Sequence, residues 1–272
     1  MNLTLRICCI ASILFLAIGC KSEFEKVRTS GDPDKILELA DGYYENGKYA
    51  KAQALYELVV NALRGDPRLQ DAYFKYANTY FETDQYILSS YYFKNYAETY
   101  TVSDNRPQAQ YMEAMSYVEL SPVYRLDQQY TEKAIISLEQ YINTYPDTDK
   151  LEAINQLLAK LRVKQETKAV EAATLYFDMS QYQSAVKAFE RVLQDYPDSD
   201  RAQEIRYRIA DSYIRLADNS VVLKRRERYD SALDAIGIYE KKYPKGEFAR
   251  SLREERNRIK KLLKTKDNYV RY

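Results

Sequence analysis

The chain has 272 residues, with 41 Lys and Arg against 40 Asp and Glu, and a net charge this close to zero argues against a general nucleic-acid binder. It contains no His, which removes His-based catalysis and the commonest zinc ligand, and its seven Gly form no phosphate-cradling loop. Tyr is over-represented, at 28 beside eight Phe and no Trp; its large apolar body and hydrogen-bonding tip suit both helix packing and wet binding surfaces.

In chain order, Arg6 precedes an apolar run from Ile7 to Ile18, and polarity begins at Lys21-Ser22-Glu23. The run is too short for a mature spanning helix and reads as a secretory signal peptide over 1–19. Leu16-Ala17-Ile18-Gly19-Cys20 resembles the lipobox of bacterial lipoproteins, with Ala17 where Leu is commoner. That likeness implies cleavage before Cys20 and acylation of its thiol and amine; each buried CH₂ of such an anchor contributes about 0.8 kcal/mol. Cys8 and Cys9 leave with the signal, so no thiol remains for a disulfide, although an exported compartment permits one. Residues 20–32 are expected to form the lipidated Cys and a polar tether.

Beyond the tether an internal repeat organises the chain. One pattern reads Gly47-Lys-Tyr49…Ala52…Tyr56, then Ala134…Leu138…Tyr145-Pro146-Asp147, Tyr182…Ala185…Phe189…Tyr196-Pro197-Asp198 and Tyr229…Ala232…Ile236…Tyr243-Pro244. Upstream of each lies Ala-x-x-Tyr: Ala40/Tyr43, Ala77/Tyr80, Ala114/Tyr117, Ala173/Tyr176 and Ala210/Tyr213. Residues three and four apart share a helix face. Ala at a crossing lets two helices approach, and an aromatic ring fills the next gap. Pro stops the second helix, and the Asp or Ser after it can cap the next. The pattern predicts helices over about 33–46, 49–64, 68–83, 86–100, 106–120, 127–144, 149–179, 182–195, 199–217 and 225–242, closed by about 247–266. The fold expected is all-α, with repeats 1–3 over 33–144 and repeats 4–5 plus the closing helix over 145–272.

These residues resemble the tetratricopeptide repeat, which implies a superhelix of about five helix pairs. Repeat two departs from that pattern at Ser89, in place of the second-helix Ala, and at Asp84, where a turn Gly is usual. Repeats three and five carry insertions near Ser121-Pro122 and Asp218–Lys224. Together with the lipobox, the stretches Tyr111-Met-Glu-Ala-Met-Ser-Tyr117, Tyr145-Pro146-Asp147-Thr148, Ala172-Ala173-Thr174-Leu-Tyr176-Phe and Asp195-Tyr196-Pro197-Asp198-Ser199, and the long helix at 149–179, are similar to the BamD-type outer-membrane assembly lipoproteins. That resemblance implies a non-enzymatic scaffold without cofactor or metal, lipid-anchored on the periplasmic face of the outer membrane. Its implied partners are the periplasmic domains of a barrel-forming subunit and unfolded outer-membrane protein substrates. A helical-repeat adaptor of the peptidoglycan or division machinery is the other reading.

Two surfaces are candidates for those partners. Aligning on the first-helix Ala places Leu37, Asp41 and Tyr44, then Phe74, Asn78 and Phe81, then Tyr111, Met115 and Val118 on one face. This aromatic groove suits an extended strand with aromatic side chains better than an acidic tail, because Leu37 and Asp41 stand where a carboxylate clamp has Lys and Asn. The alternative is that these rings pack against each other. In the C-terminal third, ten basic and four acidic residues lie between Lys245 and Tyr272. Arg206, Tyr207, Arg208, Arg215, Arg225 and Arg226 are candidates for docking an acidic partner.

Overall fold

The structure, a computed structural model, describes residues 22–265; the signal peptide and Cys20 expected from the sequence lie outside the described residues. All the described regular elements are helices. A short α1 (Glu23–Arg28) leads into three pairs: α2 (Pro33–Glu45) with α3 (Tyr49–Ala62), α4 (Leu69–Glu82) with α5 (Tyr86–Thr99), and α6 (Arg106–Leu120) with α7 (Gln129–Thr144). Then come the long α8 (Leu151–Asp178) with α9 (Tyr182–Asp195), α10 (Ala202–Asp218) with α11 (Val222–Lys242), and the closing α12 (Ala249–Lys264). This is the all-α, tetratricopeptide-type arrangement that the repeat pattern predicts. The chain forms two compact units. The first runs to Pro122 and includes Gln128–Asn155; the second holds Val123–Asp127 and the chain from Gln156 onward, so the division falls within α8.

The crossing residues explain why the pairs close. Ala40, Ala77, Ala114, Ala173 and Ala210 on first helices, and Ala52, Ala134, Ala185 and Ala232 on second helices, have no exposed surface. Ser89 takes the same position in repeat two and is equally buried; its hydroxyl accepts from Ser116 at 2.9 Å. The polar exception is tolerated because it is paired.

The turn inside a repeat also recurs. Gly47, Asp84 and Ser180 occupy one repeat position and share a left-handed backbone, with φ of 67°, 58° and 59°. The following amides, of Lys48, Gln85 and Gln181, donate to the carbonyls of Tyr43, Tyr80 and Tyr176 at 2.8 to 2.9 Å. Edge-on ring pairs then lock each turn: Tyr44 with Tyr49, Phe81 with Tyr86 and Phe177 with Tyr182, at 5.6, 5.3 and 5.5 Å. Asp84 and Ser180 thus do the work of Gly there, which L side chains do at a modest cost. Between repeats, Asp66, Ser103, Thr148 and Ser199 accept from the amides of Arg68, Asn105, Lys150 and Arg201 at the start of the next first helix.

Tyr supplies much of the first unit's interior. Tyr92 stacks on Tyr80 at 4.8 Å and packs on Tyr76 at 5.0 Å, and the Tyr76 and Tyr80 hydroxyls bond each other at 2.6 Å. Tyr96 and Tyr141, at matching second-helix positions, reach Ser103 and Thr148 with their hydroxyls at 2.7 and 3.2 Å. The second unit relies more on aliphatic residues, among them Ile205, Ile209, Ile214, Ile236, Leu252 and Ile259.

Two expectations are corrected. The stretch read as a polar tether folds from Glu23 to Arg28, with the Ser22 hydroxyl accepting from the Glu25 amide at 3.4 Å. Phe24 and Val27 share a face and pack on the first repeat, Phe24 lying 5.9 Å from Tyr43. Such a short helix is marginal alone; this packing holds it. The second-helix start expected at 225 lies instead at Val222. Good helix formers follow at once, and Arg225 and Arg228 tie that first turn back to Ser220.

Candidate binding surfaces

In the first unit the first helices α2, α4 and α6 lie side by side, α2 touching α4 and α4 touching α6. The residues predicted to line a groove are all half-buried: Tyr44, Phe74, Asn78, Phe81, Tyr111 and Met115. Most of their ring area faces inward. Phe74 packs edge-on against Phe93 and Tyr96 at 5.5 and 5.3 Å. Phe81 meets Tyr86 in the turn described above. Tyr111 lies 5.6 Å from Tyr141 and under the Lys150 ammonium at 5.5 Å. Polar groups bridge the helices instead: the Asn78 amide donates to the Tyr44 hydroxyl at 2.9 Å, and Lys75 donates to Asp41 at 2.9 Å. Asp41 also accepts from Tyr56 at 2.6 Å, and Lys75 meets Asp71 at 2.8 Å. The face combines ring edges with fixed polar groups rather than forming an open aromatic slot.

On another side of this unit, Lys94, Glu98, Arg106, Gln110, Glu113 and Gln140 line a cleft of about 300 Å³. Burial pushes the Glu113 carboxyl up to about 7; attraction from Lys94 opposes the shift and repulsion from Glu98 adds to it. The sequence held a signal that was missed. The residue before the first-helix Ala is Leu39, Tyr76, Ala172 and Ile209 in the other repeats, and a carboxylate replaces it only here. The folded chain keeps a proton on Glu113 between pH 4.5 and about 7 that the unfolded chain lacks. Stability from this group therefore rises as pH falls through that window and is lost above it. Glu113→Gln is expected to raise stability at pH 8 by roughly 2 kcal/mol, and to flatten the pH dependence of thermal melting between those values.

The six docking candidates fall in the second unit and do not form one patch. Arg208 and Arg215 share a side of α10 and cover the Phe177 ring, at 5.5 and 5.0 Å. Arg215 also pairs with Asp211 at 3.1 Å. Arg206 faces elsewhere, in a cleft of about 380 Å³ with Glu190, Tyr213, Asp234 and Ile238, its guanidinium donating to the Ala202 carbonyl at 3.3 Å. Tyr207 stacks on Phe248 at 4.1 Å. Arg225 is bound to the Ser220 carbonyl, and Arg226 is exposed. Spacing along a helix places two of the three α10 arginines together, and only those two. Nearby, Asp218 ties the last helices to α10: Tyr229 donates to it at 2.6 Å and Arg258 pairs with it at 3.0 Å. Burial, then the Asp218 bond, pushes the Tyr229 hydroxyl up to about 12.

Among the described residues no helix is long and apolar enough to cross a membrane. The profile of the YfiO family, described as outer membrane lipoprotein, matches residues 30–228. The chain belongs to the YfiO family. The match takes in all the repeat turns and first helices and ends inside α11. The outer membrane protein assembly factor BamD of Helicobacter pylori is 24% identical over 112 residues, 41% of this chain and 46% of that protein. The chain thus matches about half the length of that relative. Among solved structures, a thermophilic TPR protein of Thermus thermophilus is similar at 18% identity and a TM-score of 0.31, over 85% of this chain and 99% of that one. The TPR2AB domain of yeast Sti1, in its pHSP90 complex, is similar at 16% identity and a TM-score of 0.40, over 84% and 98%.

Proposed function

We propose that this YfiO-family chain is a lipid-anchored scaffold on the periplasmic face of the outer membrane. It performs no chemistry and helps to deliver and insert β-barrel proteins. The observation that carries this reading is the family match over 30–228, which covers the helix pairs of the first unit and reaches α11 in the second. The first-helix face of the first unit, from Tyr44 through Phe74, Asn78 and Phe81 to Tyr111 and Met115, receives extended substrate segments. Ring edges take their side chains, and Asn78 and the Tyr hydroxyls take their backbone groups. Arg206, Tyr207, Arg208, Arg215, Arg225 and Arg226 offer the barrel-forming subunit's periplasmic domains two separate cationic contacts rather than one. Because exposed ion pairs each contribute only about 0–1 kcal/mol, apolar contacts such as the Tyr207–Phe248 stack support them.

The test is extraction of the tagged chain from its own envelope in mild detergent, with identification of what co-purifies. A barrel protein bearing several periplasmic domains is the expected partner. Recovery of peptidoglycan-processing enzymes in its place would favour the adaptor reading. In the same cells Cys20→Ala is expected to move the protein from the membrane fraction to the soluble fraction with unchanged helicity. Retention on membranes through a high-salt wash would mean that acylation is not the anchor.

A further inference from the structure

The closing helix α12 carries two kinds of cation. Arg256 pairs with Glu240, and Arg258 pairs with Asp218 and Glu255, all within the second unit. Arg250, Arg253, Lys260, Lys261 and Lys264 are exposed on the other side, although Arg253 also reaches back to Glu240 at 4.0 Å and to the Pro244 carbonyl at 2.8 Å. At 100° per residue these five fall within about 100° of the helix circumference, in a stripe about 20 Å long. Glu254 borders it and is already paired with Arg250 at 3.2 Å. Among the described residues, no carboxylate lies within ion-pair distance of Lys260, Lys261 or Lys264. The helix dipole accounts for a cation at the last turn, such as Lys264, but disfavours Arg250 in the first turn. The stripe is therefore not a device for stabilising the helix.

We propose that this stripe rests on the phosphate headgroups of an anionic phospholipid membrane. The apolar side chains of α12 decide between a membrane and an acidic protein. Ala249, Leu252 and Ile259 are buried, and Leu262 and Leu263 pack on the same core. The outer stripe keeps no ring or aliphatic side chain for a partner to cover. Specific protein interfaces have an apolar centre, whereas a headgroup surface is held by charge alone, with contributions that add for each Lys or Arg. The contact does not depend on acylation, and α12 lies beyond the family match at 30–228, so the proposal stands apart from the scaffold reading. An anchor elsewhere in the chain would strengthen the contact by raising its effective concentration.

The test uses the chain from residue 20 onward with Cys20→Ser, so that no acyl chain contributes. It is sedimented with vesicles of three parts phosphatidylcholine to one part phosphatidylglycerol, and with vesicles of phosphatidylcholine alone. Binding to the anionic vesicles only, weakening steeply with salt, is expected. Lys260→Gln with Lys261→Gln and Lys264→Gln should weaken it on the order of a hundredfold while thermal melting is unchanged. Arg250→Gln with Arg253→Gln, at the other end of the stripe, should weaken it as well. Equal sedimentation with neutral vesicles, no binding to anionic ones, or wild-type binding by both variants would overturn the proposal. So would capture by immobilised polyglutamate without vesicle binding, which would assign the stripe to an acidic protein.

Discussion

Ala232→Arg is expected to lower the melting temperature by roughly 6–12 °C. Ala232 has no exposed surface, and neither does Ala185 at the same position one repeat earlier. A guanidinium placed there must lose its water without a partner or force the helices apart, at a cost of about 3 kcal/mol or more. For a chain of this size that corresponds to the shift stated, at roughly 2–4 °C per kcal/mol. Ile238, on the same helix, is 61% exposed, and Ile238→Arg should melt close to wild type. Circular dichroism of Ala232→Arg, Ala185→Arg, Ile238→Arg and the wild type settles the matter. If Ala232→Arg and Ala185→Arg both melt with the wild type, these positions are not helix crossings and the register assigned to the repeats is wrong.

Tyr96→Ala should be comparably damaging, at about 3–5 kcal/mol, whereas Tyr96→Phe should cost only about 1 kcal/mol. The Tyr96 ring is fully buried, packed on Phe74 at 5.3 Å and on Tyr100 at 4.9 Å. Phe keeps that packing and forfeits only the hydroxyl bond to Ser103 at 2.7 Å. The ratio of the two losses, read from urea unfolding, measures how far the abundant Tyr residues serve as rings and how far as hydrogen-bonding tips. Equal losses would mean that the hydroxyl alone holds the contact and that the ring packing contributes little.

The helix pairs were legible in the sequence because their signals are local and repeat. A buried Ala with an aromatic residue three or four places on reports a crossing, and Tyr-Pro reports a helix end. Asp84 and Ser180 broke the Gly pattern without breaking the turn, since the turn depends on a backbone conformation that two neighbouring bonds and a ring pair reinforce. Surfaces were less legible. Helical spacing says which side of a helix a residue occupies, but not which neighbour its side chain reaches. Phe74 is half-buried on its first helix, and its ring turns to Phe93 and Tyr96. Arg206 shares a helix with Arg208 and Arg215, and only three-dimensional packing assigns it to a different cleft. The short α1 is not legible in the sequence because two apolar residues in a polar stretch give too weak a period to count.

The bonds that join neighbouring repeats close short loops. Asp41 to Lys75 and Tyr44 to Asn78 each span 34 residues, and Tyr145 to Gln110 spans 35. The entropy of loop closure grows only slowly with length and stays small at this separation. Chains whose contacts are this local fold quickly. A chain built this way can therefore settle one helix pair at a time. Each pair needs only the preceding one as a template, and the earlier repeats need not wait for the C-terminus to arrive.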